Sequence, residues 1–228
     1  MLGELDTCEI IFSRYDTDKN KKFHNYSRQY EELLKPYRGG KIKFLEIGVF
    51  YGESLKAFRE IFKNAECIVG LDTNQNCKTC ENKDNDIYIE IGDATNNNVI
   101  NSIIKKYGNF DIILDDGSHK NKDVIKSFEL LFPLMNDGGL YIVEDTICYK
   151  DSDSIDVNYP NHLNYFFKFT EFLNQWRFDS TSGLKDHCVD PFKIMKKTDD
   201  VFEYSIDKIE YGCSYIAINK KLRIHWMK

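Results

Sequence analysis

The chain has 228 residues, of which 42% are apolar, 30% charged and 14% aromatic, with a formal net charge of −6. That balance suits one globular domain with a sizeable core, decorated rather than doubled. No apolar run is long enough to span a bilayer, the first residues lack the basic flank of a secretory signal, and no concentrated basic face offers itself to nucleic acid, so these three classes are disfavoured.

The elements follow from periodicity. Apolar residues at 5, 8, 11, 12 and 15 predict a helix over 5–15. A polar stretch, 16–22, reads as a loop. Tyr26, Tyr30, Leu33, Leu34 and Tyr37 share one face of a second helix, 25–37, closed by Pro36, Gly39 and Gly40. Then strands and helices alternate: strands at 41–47, 67–71, 87–91, 110–114 and 140–143, helices at 54–62, 99–107 and 122–135. Such alternation implies crossover connections and a parallel sheet covered on both faces. An aromatic-rich helix is expected over 161–176, and an irregular polar stretch with His187 and Cys188 over 179–191. Strands at 201–209 and 214–219, joined through Tyr211, Gly212 and Cys213, should close the sheet as an antiparallel hairpin. The tail, 220–228, is expected at the surface.

Seven cysteines, an odd number, fit free thiols in a reducing cytoplasm. Cys77 and Cys80 make a CxxC pair, but zinc would want a second pair and a redox motif would open a helix after the first strand. They read as loop thiols.

In an open parallel sheet, ligands bind beyond the carboxyl ends of the strands. The first strand ends in Glu46, Gly48, Gly52 and Ser54, an E-x-G-x-x-x-G turn unlike the G-x-G-x-x-G of dinucleotide binders. Its glycines allow close backbone approach, and Glu46 would repel a pyrophosphate, which favours a cationic ligand. The second strand ends at Asp72, placed to receive ribose hydroxyls, and the third at Asp93, placed to meet a base amino group. Each acid alone could be a helix cap. Three in order on successive strands resemble the class I S-adenosylmethionine-dependent methyltransferases. The resemblance implies an α/β, Rossmann-like, seven-stranded mixed sheet, here with a helical N-terminal extension, and S-adenosylmethionine held by Glu46, Gly48, Gly52, Ser54, Asp72 and Asp93, with Asp115 on the cofactor side.

The fourth strand runs into D-D-G-S-H and the fifth into V-E-D-T, which would place Asp115, Asp116, His119, Glu144 and Asp145 around one mouth. Carboxylates so gathered need a cation, and an all-oxygen set suits Mg²⁺. The bland alternative is caps and solvated acids. The pair of motifs, with the stretch from Thr17 through Lys19 to Tyr30, resembles the metal-dependent sugar O-methyltransferases of macrolide tailoring, the mycinamicin and macrocin group. By that resemblance Asp116, Glu144 and Asp145 hold the metal and His119 is the base, with Asp116 counted beside it as catalytic. His24, His162, His187 and His225 have no matching partner in sequence. The aromatics Tyr165, Phe166, Phe167, Phe169, Phe172 and Trp176 read as core and interface before sugar platform.

The expectation is one domain: extension 1–40, cofactor-binding core 41–149, acceptor-side insertion 150–200 and closing hairpin 201–220. Its function would be O-methylation of a sugar hydroxyl on a sugar nucleotide, glycoconjugate or glycosylated natural product, in the cytoplasm. The partner would be a small-molecule or glycan acceptor, without nucleic acid or membrane; relatives of this kind are often homo-oligomers. The rival readings are a catechol-type small-molecule O-methyltransferase and a non-catalytic S-adenosylmethionine-binding module.

Overall fold

The computed structural model describes residues 6–175, 202 and 205–221. Trp176, the stretch 179–191 with His187 and Cys188, the tail from 222 including His225, and the side chain of Phe172 lie outside the described residues. The chain divides into two compact units, Met1–Gly117 and Ser118–Lys228.

The first unit opens with α1 (Cys8–Phe12) and α2 (Ser27–Leu34). α1 is shorter than its periodicity predicts. Its amides give way to three-residue turn bonds, Arg14 N–H to Ile11 and Tyr15 N–H to Phe12, so the helix tightens and stops. Next come β1 (Lys43–Ile47), α3 (Glu53–Ile61), β2 (Cys67–Asp72), β3 (Ile87–Ile91), α4 (Asn97–Tyr107) and β4 (Ile112–Asp115). These four strands are parallel in the order β3-β2-β1-β4. β2 is buried along five consecutive residues, as a strand covered on both faces must be. Asn96 caps α4 through its side chain and Gly108, at φ 79°, ends it. On α3, Leu55, Phe58 and Ile61 recur every third residue and are buried. Phe58 meets Phe44 of β1 at 4.5 Å between ring centroids and Phe12 of α1 at 5.7 Å. The helical extension is thus held by aromatic packing.

The second unit holds α5 (Asn121–Leu131), β5 (Leu140–Glu144), α6 (His162–Gln175), β6 (Ile206–Gly212) and β7 (Tyr215–Lys220). β7 pairs antiparallel with β5, from Leu140 opposite Asn219 to Glu144 opposite Tyr215, and with β6 on its other side. The closing hairpin is present, but β6 starts at Ile206 rather than 201. Phe202 is helical, and its ring stacks on Phe128 at 5.4 Å, so packing wins over strand propensity. On α6, Tyr165, Phe166 and Phe169 are buried around Phe128. Phe167 is 57% exposed and stacks on Tyr211 at 4.9 Å. Among the described residues no helix is long and apolar enough to cross a membrane.

Candidate active site

In the first unit the end of β1 is tightly built. Gly48 has φ 91°, and a Cβ there would lie 2.1 Å from the carbonyl oxygen of Asp116, so only glycine fits. Gly52, at φ 74°, starts α3, and a Cβ there would meet the Cβ of Cys80 at 2.7 Å. Cys77 is buried and its S–H donates to the carbonyl of Phe50 at 3.4 Å. Burial, aided by Asp72, pushes its thiol up to about 11. Both thiols are free, and the pair packs under the glycine turn.

Glu46 is wholly buried. Its Oε2 accepts from the Ser54 hydroxyl at 2.8 Å, while Oε1 has no hydrogen-bond partner. Burial pushes this carboxyl up to about 8, against the opposing pull of Lys19 and with Asp116 adding to the rise. Asp72 behaves in the opposite way. Burial would raise it, but backbone N–H groups of Asn74, Val49 and Phe50 donate to it, at 2.8, 2.8 and 3.3 Å, and hold it below the usual carboxylate range. Asp72 therefore fastens the glycine turn to the end of β2. Asp93 is exposed and its Oδ1 accepts from Thr95 N–H at 2.7 Å. Both acids serve local turns and keep lone pairs for a further donor. Asp115, the last residue of β4, is buried.

Lys19 is the residue that sequence reading passed over. It sits in the polar 16–22 stretch, yet its side chain is only 1% exposed. Its Nζ lies 2.5 Å from Asp116 Oδ2, 3.6 Å from Asp18 Oδ1 and 3.9 Å from Glu46 Oε1. A buried ammonium is costly unless paired, and here three carboxylates surround it. The only signal in sequence was the Thr17–Lys19 segment of the family resemblance, which carried no role for the lysine.

In the second unit, His119 and Asp145 face each other, with Nε2 to Oδ2 at 3.8 Å. Both have left-handed backbone, φ 56° and 51°, a conformation that costs about 1–2 kcal/mol outside glycine and that gathers at functional sites. Glu144, the last residue of β5, is buried. Neighbours hold the turn after it. Thr146 N–H donates to the carbonyl of Ser214 at 3.1 Å, so the β6–β7 turn extends the sheet register to the turn. The Thr146 carbonyl lies 3.2 Å from His162 Nε2, which fixes that nitrogen as the protonated one. Burial pushes His162 down to about 4, with the Thr146 carbonyl opposing and His119 adding. Asn121 completes the frame. Its Oδ1 accepts from His162 N–H at 2.9 Å and its Nδ2 donates to the carbonyls of Tyr149 at 3.1 Å and Ser154 at 2.8 Å. Neither Asn121 nor His162 stood out in the sequence, because each acts on backbone groups that carry no sequence signature.

The structure thus brings together Lys19, Glu46, Ser54, Gly48 and Asp116 in one unit, and His119 and Asp145, framed by Asn121 and His162, in the other. The donor chemistry fits the groups expected from sequence. Carboxylate oxygens suit a hard divalent cation, and a cationic nitrogen already occupies Asp116. A buried oxygen of Glu46 that accepts no hydrogen bond suits a donor from a cofactor.

The family described as "Methyltransferase domain" matches residues 45–146. Demethylmacrocin O-methyltransferase of Streptomyces fradiae is 34% identical over 142 residues, 59% of this chain and 35% of that protein. Mycinamicin VI 2''-O-methyltransferase of Micromonospora griseorubida is 36% identical over the same shares. The chain spans about a third of the length of these curated relatives. A solved structure, the MycE methyltransferase of the mycinamycin pathway in complex with Mg and SAH, superposes with a TM-score of 0.80 at 24% identity, covering 97% of this chain and 55% of that one. With four parallel strands in the first unit and three antiparallel-paired ones in the second, the fold is the seven-stranded mixed sheet of that class. Residues 45–146 thus match a methyltransferase-domain family, and 59% of the chain is similar in sequence to demethylmacrocin and mycinamicin VI O-methyltransferases.

Proposed function

We propose that this chain is an S-adenosylmethionine- and Mg²⁺-dependent O-methyltransferase acting on a sugar hydroxyl of a glycosylated small molecule. The observation that carries the reading is His119 held 3.8 Å from Asp145 on strained, framed backbone, within residues covered by the methyltransferase family. Both units belong to one catalytic domain in this reading, since the family match begins in the first and ends in the second. The location is cytoplasmic and the protein works without nucleic acid, on the sequence grounds given above; a homo-oligomer is part of the same proposal.

Asp116, Glu144 and Asp145 would hold the cation, and Glu46, Gly48, Gly52, Ser54, Asp72, Asp93 and Asp115 would form the cofactor side. When bound, the cofactor supplies a methyl group on a sulfonium and the cation supplies Lewis acidity to the acceptor oxygen. The chain's residues do the rest. His119 takes the hydroxyl proton on its imidazole, and the imidazolium so formed stands at ion-pair distance from Asp145. Gly48 and Gly52 admit the cofactor's backbone contacts. Ser54 keeps the Glu46 carboxyl oriented.

The test is turnover on a panel of deoxysugar glycosides and catechols with S-adenosylmethionine. A glycoside should be methylated, chelation should abolish the reaction, and Mg²⁺ should restore it. His119→Ala should lose roughly 10²–10⁴-fold in turnover. Full rate after chelation sinks the metal, near-normal His119→Ala sinks the base, and methylation confined to catechols sinks the sugar acceptor.

A further inference from the structure

The least expected group in the molecule is the buried lysine. The loop that carries Lys19 is built to deliver it. Lys19 N–H donates to Thr17 Oγ1 at 3.4 Å, its carbonyl accepts from the Ser27 hydroxyl of α2 at 3.4 Å, and Thr17 and Ser27 are themselves buried. His24 N–H to the carbonyl of Asp18, at 2.9 Å, and Asn25 N–H to the carbonyl of Asn20, at 3.0 Å, close the loop behind it. The side chain then runs inward to Asp116 and Glu46.

We propose that Lys19 is a positioning residue: its ammonium is the chain's own counter-cation at Asp116, which it holds in place until a divalent cation displaces it. This rests on the reading of Asp116 as a metal ligand. The physical argument is charge. Lys19 Nζ reaches both acids, at 2.5 Å from Asp116 Oδ2 and 3.9 Å from Glu46 Oε1, and a carboxylate held beside a second, buried acid needs a counter-charge. An ammonium 2.5 Å from Asp116 Oδ2 also stands where a cation ligated by that oxygen would have to come. One positive charge and one divalent cation cannot both sit on a single buried carboxylate oxygen without strong repulsion. The two therefore exchange, and Lys19 moves outward as the metal enters.

The experiment uses Mn²⁺ as the probe, with two readouts that need no turnover. Amine-reactive labelling of Lys19, read by mass spectrometry on the wild-type protein, should be slow without metal and should rise as Mn²⁺ saturates. Mn²⁺ affinity, read by electron paramagnetic resonance, should tighten roughly tenfold in Lys19→Gln through loss of the competing charge, return toward wild type in Lys19→Arg, and weaken in Asp116→Asn. Labelling that stays slow at saturating Mn²⁺ overturns the proposal, and so does a Lys19→Gln affinity equal to wild type while Asp116→Asn still weakens binding. Affinity indifferent to Asp116→Asn removes Asp116 as a ligand, and the Lys19 exchange with it. If Lys19→Gln does not fold, the wild-type labelling decides alone.

Discussion

His162 shows how one buried side chain writes a pH dependence into the fold. Its imidazole is wholly buried and stays neutral down to about 4, whereas an exposed imidazole takes its proton near 6.5. Between those values the unfolded chain binds a proton that the folded chain refuses. The His162 contribution is therefore complete above about pH 6.5 and is lost as pH falls toward 4. We expect His162→Gln, whose amide can still donate to the Thr146 carbonyl, to unfold within about 1 kcal/mol of wild type at pH 7. Its urea midpoint should then fall less than that of wild type between pH 7 and pH 4.5. Equal falls in both proteins would remove His162 as the source. Lys19 is the counterpart in the other unit, a charge buried because three carboxylates surround it. Neither residue could be ranked from sequence. Burial of a single polar group is decided by what folds over it, and a histidine beside Asn161 or a lysine among Asp18 and Asn20 looks like any solvated residue.

At the level of elements, the ends of the strands carry the proposed chemistry, and the connections there are steric as much as chemical. Gly48 is the clearest case. A methyl group at this position meets the Asp116 carbonyl oxygen at 2.1 Å on a backbone of φ 91°. Overpacking of this kind costs about 1–3 kcal/mol and the positive φ about 1–2 more. Gly48→Ala should thus destabilise by roughly 2–5 kcal/mol, measurable as a shift in denaturant midpoint; a shift below about 1 kcal/mol would mean that the turn relaxes freely. The strands of the core were legible because parallel strands buried on both faces are continuous apolar runs, and 67–71 and 112–114 are such runs; the fourth strand starts at Ile112 rather than 110. The start of β6 was not. Residues 201–205 read as strand by composition, but Phe202 finds a better place against Phe128. The three acids on successive strands were also legible, as a spacing. Their partners were not, because Asp72 spends its oxygens on the backbone of Val49, Phe50 and Asn74.

At the scale of the whole molecule, cofactor binding should appear as stability. A ligand that binds only the folded state at about 100 times its dissociation constant adds about 2.7 kcal/mol, and a protein of this size gains about 2–4 °C per kcal/mol. S-adenosylhomocysteine should therefore raise the melting temperature by roughly 5–11 °C, whereas a nicotinamide dinucleotide at matched excess should leave it in place. The reverse outcome would favour an oxidoreductase. Glu46, Asp72, Asp93, Asp115 and Asp116 in the first unit, and Glu144 and Asp145 in the second, all stand at or just beyond strand ends.

The contact between Gly48 and the Asp116 carbonyl has one more consequence. The turn proposed to hold the cofactor and the residue proposed to hold the cation lie so close that no Cβ fits between Gly48 and the Asp116 carbonyl. That packing blocks movement of either toward the other, so the two binding equilibria should be thermodynamically linked. Linkage is reciprocal: whatever factor Mg²⁺ imposes on the affinity for S-adenosylhomocysteine, S-adenosylhomocysteine must impose on the affinity for Mg²⁺. A single glycine would then set how strongly the two ligands sense each other.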